Sequence, residues 1–188
     1  MRSLYEARCA MDTFNAGFSG RCIRLRPSRA NQCHGIGEVI RLWEVENLIQ
    51  EAPRWMLPRG HSFAAEIARW FRTGFRDGTL RYIPDPARPL GYDYWCSPAA
   101  TLERGGGDCD DLAILGASLL LAGGVDAWVV VGTIHQGGRI DGHAWIEGID
   151  ERGGFLIEAT SGGLVRNRRP PQYRASILLG PGCCQIAA

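Results

Sequence analysis

The sequence carries almost no net charge and has no long hydrophobic run. Lysine and arginine total 21 and aspartate and glutamate total 20, so the formal net charge is +1. A chain so balanced has no overall field that would attract nucleic acid or an anionic membrane. The longest apolar stretch, Leu112 to Val125, contains several glycines and is too short to cross a bilayer. We therefore expect neither nucleic acid nor a membrane as a partner.

The sequence also gives no indication of a disulfide framework or of a secretory signal peptide. The seven cysteines are an odd number and lie far apart, except for the neighbours Cys183 and Cys184. Such spacing does not indicate a set of disulfides. Charged residues between Arg2 and Asp12 interrupt the first apolar positions, so no signal peptide is evident. The expected location is the cytoplasm, with the cysteines reduced.

Composition divides the chain into three parts. Residues 1 to 35 are rich in arginine and poor in acids, and they are predicted to form an irregular or disordered extension. Residues 36 to 165 hold the periodic apolar segments of one compact domain. Residues 166 to 188 begin with several arginines around two prolines and are predicted to be a solvated C-terminal tail.

Within the domain, helical patterns come first and strand patterns follow. Ser62 is a suitable N-cap for a helix that reaches about Phe75. Asp108 precedes a second helix, from about Cys109 to Ala122, which is apolar nearly all round and should be buried. After Ala127, short apolar runs separated by double glycines favour an antiparallel meander. The prediction is an α+β fold in which a central buried helix packs on an antiparallel sheet.

Cys109 is the first candidate for chemistry because it opens the buried helix. Unpaired backbone N–H groups and the helix dipole favour a thiolate at that position. The three glycines from Gly105 to Gly107 would let a substrate approach the backbone, and the amide of Cys109 could donate to an oxyanion. The competing interpretation is a small core side chain, which is the usual fate of a free cysteine.

A thiolate nucleophile needs a base, and His143 is the best placed of the four histidines. In the segment from His143 to Glu147, alternation puts His143, Trp145 and Glu147 on one face of a strand. A histidine at the start of a core-facing strand would need a polar partner. The alternative is a surface histidine at a strand edge.

Glu158 is the candidate for the group that orients His143. If the turn between the last two strands centres near Glu151 and Arg152, Glu158 falls opposite Trp145 and on the face of His143. Asp141 and Asp150 are closer to His143 along the chain but fall in predicted loops. A carboxylate at position 158 is therefore either a satisfied strand end or the third member of a catalytic group.

The string Gly107-Asp108-Cys109-Asp110-Asp111-Leu112, followed by His143-Ala144-Trp145 and Glu158-Ala159-Thr160, resembles the transglutaminase-like superfamily. The lead-in segments at residues 81 to 86 and 97 to 102 are similar as well. The likeness is closest to bacterial transglutaminase-like cysteine proteinases and related phage and prophage proteins, and it covers about residues 61 to 162. It implies a papain-like core in which Cys109, His143 and Glu158 form the catalytic triad. The family usually has aspartate where this chain has Glu158.

Two further roles follow from the resemblance. An aromatic side chain upstream of the cysteine can complete the oxyanion hole, which makes Trp95 and Tyr94 candidates, although either could simply pack. Some bacterial members bind calcium near the cysteine, and the acids at Asp108, Asp110 and Asp111 could do so here. Helix capping is the simpler explanation of these acids, and no cofactor is otherwise required.

The expected function is acyl transfer on amide bonds of proteins or peptides by a cysteine nucleophile, with hydrolysis favoured over cross-linking. The alternative is a transglutaminase-like module without catalytic activity, for example a phage-derived assembly or binding protein.

Overall fold

The structure is a computed structural model, and it describes residues 14–15, 22–25, 40–46, 62–85, 93–181 and 183–186. Three α-helices occur in these ranges, together with a short 3-10 helix at Leu42–Glu44. The helices are α1 (Phe63–Asp77), α2 (Pro98–Arg104) and α3 (Cys109–Ala122).

Helix α1 begins at the cap that the sequence predicted. Ser62 has an extended backbone, and its hydroxyl accepts a hydrogen bond from the backbone N–H of Ala65 at 3.2 Å. The helix ends at Gly78, whose φ of +81° is a left-handed conformation that glycine adopts without strain. This helix buries Ile67 and Phe71 in the same cluster as the side chains of α3.

Helix α3 is the centre of the molecule, as its all-round apolar pattern predicted. Leu112, Ile114, Leu115 and Leu120 are fully buried. Gly116 allows Ile146 and Phe71 to pack directly against the helix, since a Cβ at this position would clash with both. The helix is thus held between α1 and the sheet, and its first residue is fixed in position.

The strands form one large antiparallel sheet and two small ones. The strands are β1 (Phe14–Asn15), β2 (Cys22–Leu25), β3 (Arg81–Tyr82), β4 (Asp93–Cys96), β5 (Gly106–Gly107), β6 (Asp126–Gln136), β7 (Arg139–Asp150), β8 (Gly153–Glu158), β9 (Gly163–Arg166), β10 (Tyr173–Gly180) and β11 (Cys183–Ile186). The large sheet has the order β11-β10-β6-β7-β8-β9, and the small sheets are β1-β2-β4 and the parallel pair β3-β5.

The predicted alternation along β7 is confirmed. Ala144 and Ile146 lie in the cluster that contains α3, whereas Trp145 is buried in a separate cluster with Val130 and Leu156 on the other face of the sheet. The β7–β8 turn falls where the sequence placed it, because Asp150 pairs with Gly153 and Ile146 pairs with Ile157. Continuing this register by one residue places Glu158 of β8 opposite Trp145 of β7.

The segments expected outside the domain contribute strands, which corrects the sequence interpretation. Strand β10 lies within the predicted tail, yet it pairs with β6 from Tyr173 to Leu179. Strand β2 lies within the predicted irregular extension and pairs with β4. Both pairings join residues far apart in sequence, and local composition does not encode such contacts.

Cys96 at the end of β4 is disulfide-bonded, although cysteine spacing did not indicate disulfides. Among the described residues, Cys109 is the free cysteine.

Candidate active site

Cys109 is half-buried at the first residue of α3, where the helix presents its unpaired N–H groups. Asp108 occupies the N-cap position with an extended backbone, but its side chain makes no capping hydrogen bond. The expected capping by Asp108 is therefore not observed. The free thiol nevertheless stands directly at the helix terminus.

The glycines before Cys109 bring that residue next to a second segment of the chain. Gly106 and Gly107 pair in parallel with Arg81 and Tyr82. A Cβ on Gly106 would clash with the backbone of Arg81, and the φ of +141° at Gly106 is itself suited only to glycine. Burial, followed by the negative charges of Cys109 and Asp108, raises the pKa of Tyr82 to about 12. Tyr82 therefore lies in the strand that pairs with the glycines just before Cys109.

His143 meets Glu158 at the end of the sheet. The ring atom Nε2 of His143 lies 2.7 Å from Oε2 of Glu158, and both side chains are 14% exposed. Cys109 acts on the same ring, because a side-chain hydrogen bond with it is one of the influences that raise the pKa of His143. Since imidazole has only two nitrogens and Nε2 faces Glu158, Nδ1 is the atom left to face the sulfur. The structure thus places Glu158 in contact with His143, and Cys109 influences the same imidazole.

Glu158 is held by four donors. Its Oε1 accepts from the backbone N–H of Thr160 at 3.1 Å and from the Thr160 hydroxyl at 2.7 Å. Its Oε2 accepts from Tyr173 at 3.0 Å in addition to His143. The glutamate side chain is one methylene longer than the aspartate that the resemblance leads one to expect at this position. Here it reaches from β8 to His143, and both of its carboxylate oxygens accept hydrogen bonds.

The protonation states of this pair are set by the contacts. Burial alone would lower the pKa of His143, but the hydrogen bonds and charges of Cys109 and Glu158 outweigh it and raise that pKa to about 10. Burial would raise the pKa of Glu158, but His143 and Thr160 together lower it. At neutral pH these contacts therefore favour an imidazolium beside the Glu158 carboxylate.

The two residues proposed for an oxyanion hole have other contacts. Trp95 is 4% exposed, and its indole N–H donates to Oδ2 of Asp93 at 3.0 Å. Tyr94 is half-buried, and its backbone N–H donates to Oδ2 of Asp85 at 2.9 Å. The oxyanion role of either residue stays a prediction, and Trp95 would have to exchange its hydrogen-bond partner to fulfil it.

Two groups of three carboxylates meet at Asp108. One comprises Asp108, Asp110 and Asp111, and the other comprises Asp85, Asp93 and Asp108; within each group the closest oxygens lie within 4.8 Å of one another. Asp108 is 7% exposed, and its Oδ1 is buried without a hydrogen-bond partner. A buried carboxylate oxygen in this state is costly unless a cation or a donor satisfies it.

Asp110 and Asp111 are occupied by protein contacts. Asp111 accepts from the backbone N–H of Cys96 at 2.7 Å and from Arg104 at 3.1 Å, while burial and the charge of Asp108 raise its pKa to about 7. Burial, a hydrogen bond with Asp108 and its charge raise the pKa of Asp110 well above its usual value. These two acids are thus built into the protein interior.

Sequence reasoning missed three residues of this site. Tyr173 lay in the predicted tail, and Asp85 and Asp93 lay in a segment interpreted as a loop. Residues 173 to 177 do alternate in burial, but the arginines and prolines before them favoured the interpretation as a solvated tail. The other histidine of the described ranges, His135, lies on the exposed β6–β7 hairpin and contacts Thr133. His34 and His61 lie outside the described residues.

A cavity of about 310 Å³ lies away from this site, on the sheet face opposite α3. It is lined by Trp128, Glu147, Phe155, Arg168 and Arg169, among others. Cys109, His143 and Glu158 are not among the residues that line it. Within the part of the chain that the structure describes, no helix is long and apolar enough to cross a membrane.

Residues 93 to 177 match the family described as the CEP76 peptidase-like domain, which is less than half of the chain. The chain is also 46% identical over 54 residues to the centrosomal proteins of 76 kDa from Mus musculus and Homo sapiens. That match covers 29% of this chain and 8% of each relative. The chain is thus similar to a peptidase-like domain family over residues 93 to 177 and to a small part of a much longer protein.

Two solved structures of Legionella pneumophila LapG share the fold. The EGTA-treated form superposes with a TM-score of 0.55 and 16% identity, covering 87% of this chain and 88% of LapG. The calcium-bound form has a TM-score of 0.52 and 19% identity, covering 66% of this chain and 67% of LapG. The predicted α+β fold, with a buried helix on an antiparallel sheet, is confirmed.

Proposed function

We propose that this protein is a cysteine-nucleophile enzyme of the transglutaminase-like, papain-related kind that acts on amide bonds of proteins or peptides. The observation that carries the proposal is the hydrogen bond between His143 and Glu158, on a ring whose pKa Cys109 also raises. A sulfur nucleophile, a base and an orienting carboxylate in this order form the minimal set for acyl transfer.

The reaction would begin with the Cys109 thiolate and the His143 imidazolium. The sulfur attacks the amide carbonyl carbon, and the proton on Nδ1 of His143 passes to the leaving nitrogen as the C–N bond breaks. Water then attacks the thioester, His143 accepts its proton, and the thiolate leaves as the acid product forms. An amine in place of water would give a cross-link, but we favour hydrolysis because water is always present.

Alkylation of the folded chain by iodoacetamide at pH 5.5 tests the nucleophile. An ordinary thiol with a pKa near 8.5 is only about 0.1% thiolate at this pH, so it reacts slowly. We expect Cys109 to react at least ~100-fold faster than any other free cysteine, because the imidazolium of His143 stabilises its thiolate. Peptide mass mapping after short exposures measures the rates, and uniform labelling would contradict the proposal.

The second candidate is a module that keeps the fold without catalysis. The resemblance to a peptidase-like region of centrosomal proteins favours this candidate, since that name describes a likeness to peptidases rather than an activity. The alkylation experiment separates the two, because a binding module has no need for a selectively reactive Cys109. A phage origin and a cytoplasmic location stay predictions.

An extended peptide is the substrate that the sheet edge beside His143 would accept. The β6–β7 turn at Gly137 and Gly138 has positive φ at both residues, which is the type I′ geometry. In such a turn Gln136 and Arg139 form a hydrogen-bonded pair, and hydrogen-bonded and non-hydrogen-bonded pairs then alternate along β6 and β7. Gly142 falls in a non-hydrogen-bonded pair, so its backbone N–H and C=O point away from β6. Strand β8 pairs with β7 only from Ile146 onward, so among the described strands none covers this edge.

Substitution of Gly142 tests the use of this edge. Gly142→Pro removes the outward N–H, so it should weaken inactivation by peptide-linked alkylating reagents about 10-fold without changing the rate with iodoacetamide. Gly142→Ala is the matched control, because it retains the N–H and its Cβ meets nothing within 4 Å. Equal loss with both reagents would point to general damage and contradict an edge-bound peptide.

We infer that calcium binds among Asp85, Asp93 and Asp108. Carboxylate oxygens are the ligands that calcium prefers, and the unpartnered Oδ1 of Asp108 fits a cation in this group. The calcium-bound form of LapG supports the metal but not the ligands. A bound ion would neutralise Asp108 beside Cys109 and fix the start of α3, whereas Asp110 and Asp111 would keep their protein contacts.

Thermal unfolding tests the metal site. Millimolar calcium should raise the melting temperature of the chain by several degrees, because a ligand that binds only the native state stabilises it by mass action. Asp108→Asn should abolish the shift, whereas Asp126→Asn, at an exposed position on β6, should retain it. An unchanged melting temperature in the unsubstituted chain would exclude the site.

A further inference from the structure

Tyr173 lies where His143 and Glu158 meet, although it comes from a different part of the sheet. Its hydroxyl donates to Oε2 of Glu158 at 3.0 Å, the same oxygen that lies 2.7 Å from Nε2 of His143. Its ring is 6.3 Å from the ring of His143 and 5.1 Å from that of Trp145, edge to face with the latter. The residue thus contacts the pair through a polar atom and through its ring.

The position of Tyr173 depends on the curvature of the sheet. Tyr173 is on β10 and Glu158 is on β8, with β6 and β7 between them. For these side chains to meet, the sheet must curl so that the face opposite α3 becomes concave. The bulge between Ala175 and Ile177 supplies a local bend in β10. Trp145 is fully buried inside this concavity and packs against the ring of Tyr173.

We propose that Tyr173 is a positioning residue that acts on His143 through Glu158; this rests on the proposed function. Thr160 fixes only Oε1, so without the phenol the other oxygen could turn away from the imidazole. With both oxygens held, Nε2 keeps its partner and Nδ1 remains directed at Cys109. Glutamate has one more rotatable bond than aspartate, and Tyr173 supplies the restraint that this extra freedom requires.

A purely structural role of Tyr173 would reside in its ring. The ring packs in the cluster that contains Trp145 and Leu156, and phenylalanine would fill the same space. The positioning role resides in the hydroxyl, because that atom alone reaches Glu158. Tyr173→Phe separates the two roles in the full chain.

The experiment combines two readouts on Tyr173→Phe. We expect iodoacetamide to alkylate Cys109 about 10-fold more slowly than in the unsubstituted chain, as the loss of one hydrogen bond to a charged group implies. In ¹⁵N NMR of the histidine rings, the titration midpoint of His143 should move to lower pH. Trp128→Phe, which alters another aromatic of the same cluster, should change neither.

The outcomes distinguish this proposal from the proposed function. If Tyr173→Phe leaves both the alkylation rate and the His143 titration unchanged, the positioning role is wrong, whatever Cys109 does. If Cys109 shows no selective reactivity in the unsubstituted chain, the proposed function fails, and a shifted His143 titration would still support the contact through Glu158. A shift of equal size in Trp128→Phe would assign the effect to packing and overturn the proposal.

Discussion

His143→Ala should slow the alkylation of Cys109 at pH 5.5 by about 10²- to 10³-fold. In the proposed mechanism the imidazolium is the cation that stabilises the sulfur anion, and the raised pKa of His143 keeps the ring protonated throughout the acidic and neutral range. Without it, Cys109 should react like an ordinary thiol, for which only about 0.1% is thiolate at this pH. Second-order rate constants for iodoacetamide, followed by mass mapping, provide the measurement.

His135→Ala is the matched control for this substitution. His135 lies on the exposed hairpin and its ring contacts Thr133 rather than Cys109, so its loss should leave the rate unchanged. A His143→Ala chain that alkylates as fast as the unsubstituted one would show that the helix terminus alone activates the sulfur. The proposed pairing of thiolate and imidazolium would then be untenable.

Glu158→Gln should have the second largest effect, because it keeps the shape of the side chain and removes its charge. An amide cannot stabilise the imidazolium as the carboxylate does, and its N–H₂ can face Nε2 and select the wrong tautomer. We expect the pKa of His143 to fall toward 6.5 and any hydrolytic rate to drop by about 10³- to 10⁴-fold. Histidine NMR titration and turnover of a peptide library would measure the two effects.

The same substitution should change how stability depends on pH. His143 has a raised pKa in the native state, so its contribution is complete below about pH 6.5 and is lost as the pH rises through about 10. Glu158 has a lowered pKa, so its contribution is present above about pH 4.5 and is lost in acid. The melting temperatures of the unsubstituted and Glu158→Gln chains should therefore differ most near pH 5 to 6.5 and converge above pH 10.

Glu158→Asp serves as the companion variant. It retains the charge but withdraws the carboxylate by about 1.5 Å, the length of one carbon–carbon bond. The four donors that surround the glutamate cannot all follow, so we expect a smaller loss than with glutamine. Equal activity in Glu158→Asp and Glu158→Gln would mean that the charge at this position is irrelevant, contrary to the proposed role.

Much of the local structure was predictable because it depends on neighbours in sequence. The cap at Ser62 and the all-round apolar pattern of α3 are short-range features that persist in the folded chain. The alternation along β7 and the turn after Asp150 set the register that places Glu158 on the face of His143. The three residues of the candidate catalytic group could therefore be named before their contacts were known.

Long-range features were not predictable in the same way. Asp85 and Asp93 come close to Asp108 only because the segments around β3 and β4 fold back against α3. The N–H of Trp95 is turned to Asp93, which alternation along β4 could not reveal. Tyr173 belongs to a strand whose partner, β6, lies far upstream, and alternation along β10 indicates a strand but not its partner.

By itself the sequence determined which side chain opens the buried helix, which histidine starts a strand, and which carboxylate is in register with it, because helical periodicity and strand alternation are properties of consecutive residues. Only the tertiary structure decided how the carboxylate of Glu158 is held, because Tyr173 on β10 reaches Glu158 on β8 through the curvature of the sheet across β10, β6, β7 and β8. It also decided which acids surround Asp108. Contacts of this kind depend on chain reversal and sheet curvature, which no local pattern of residues specifies.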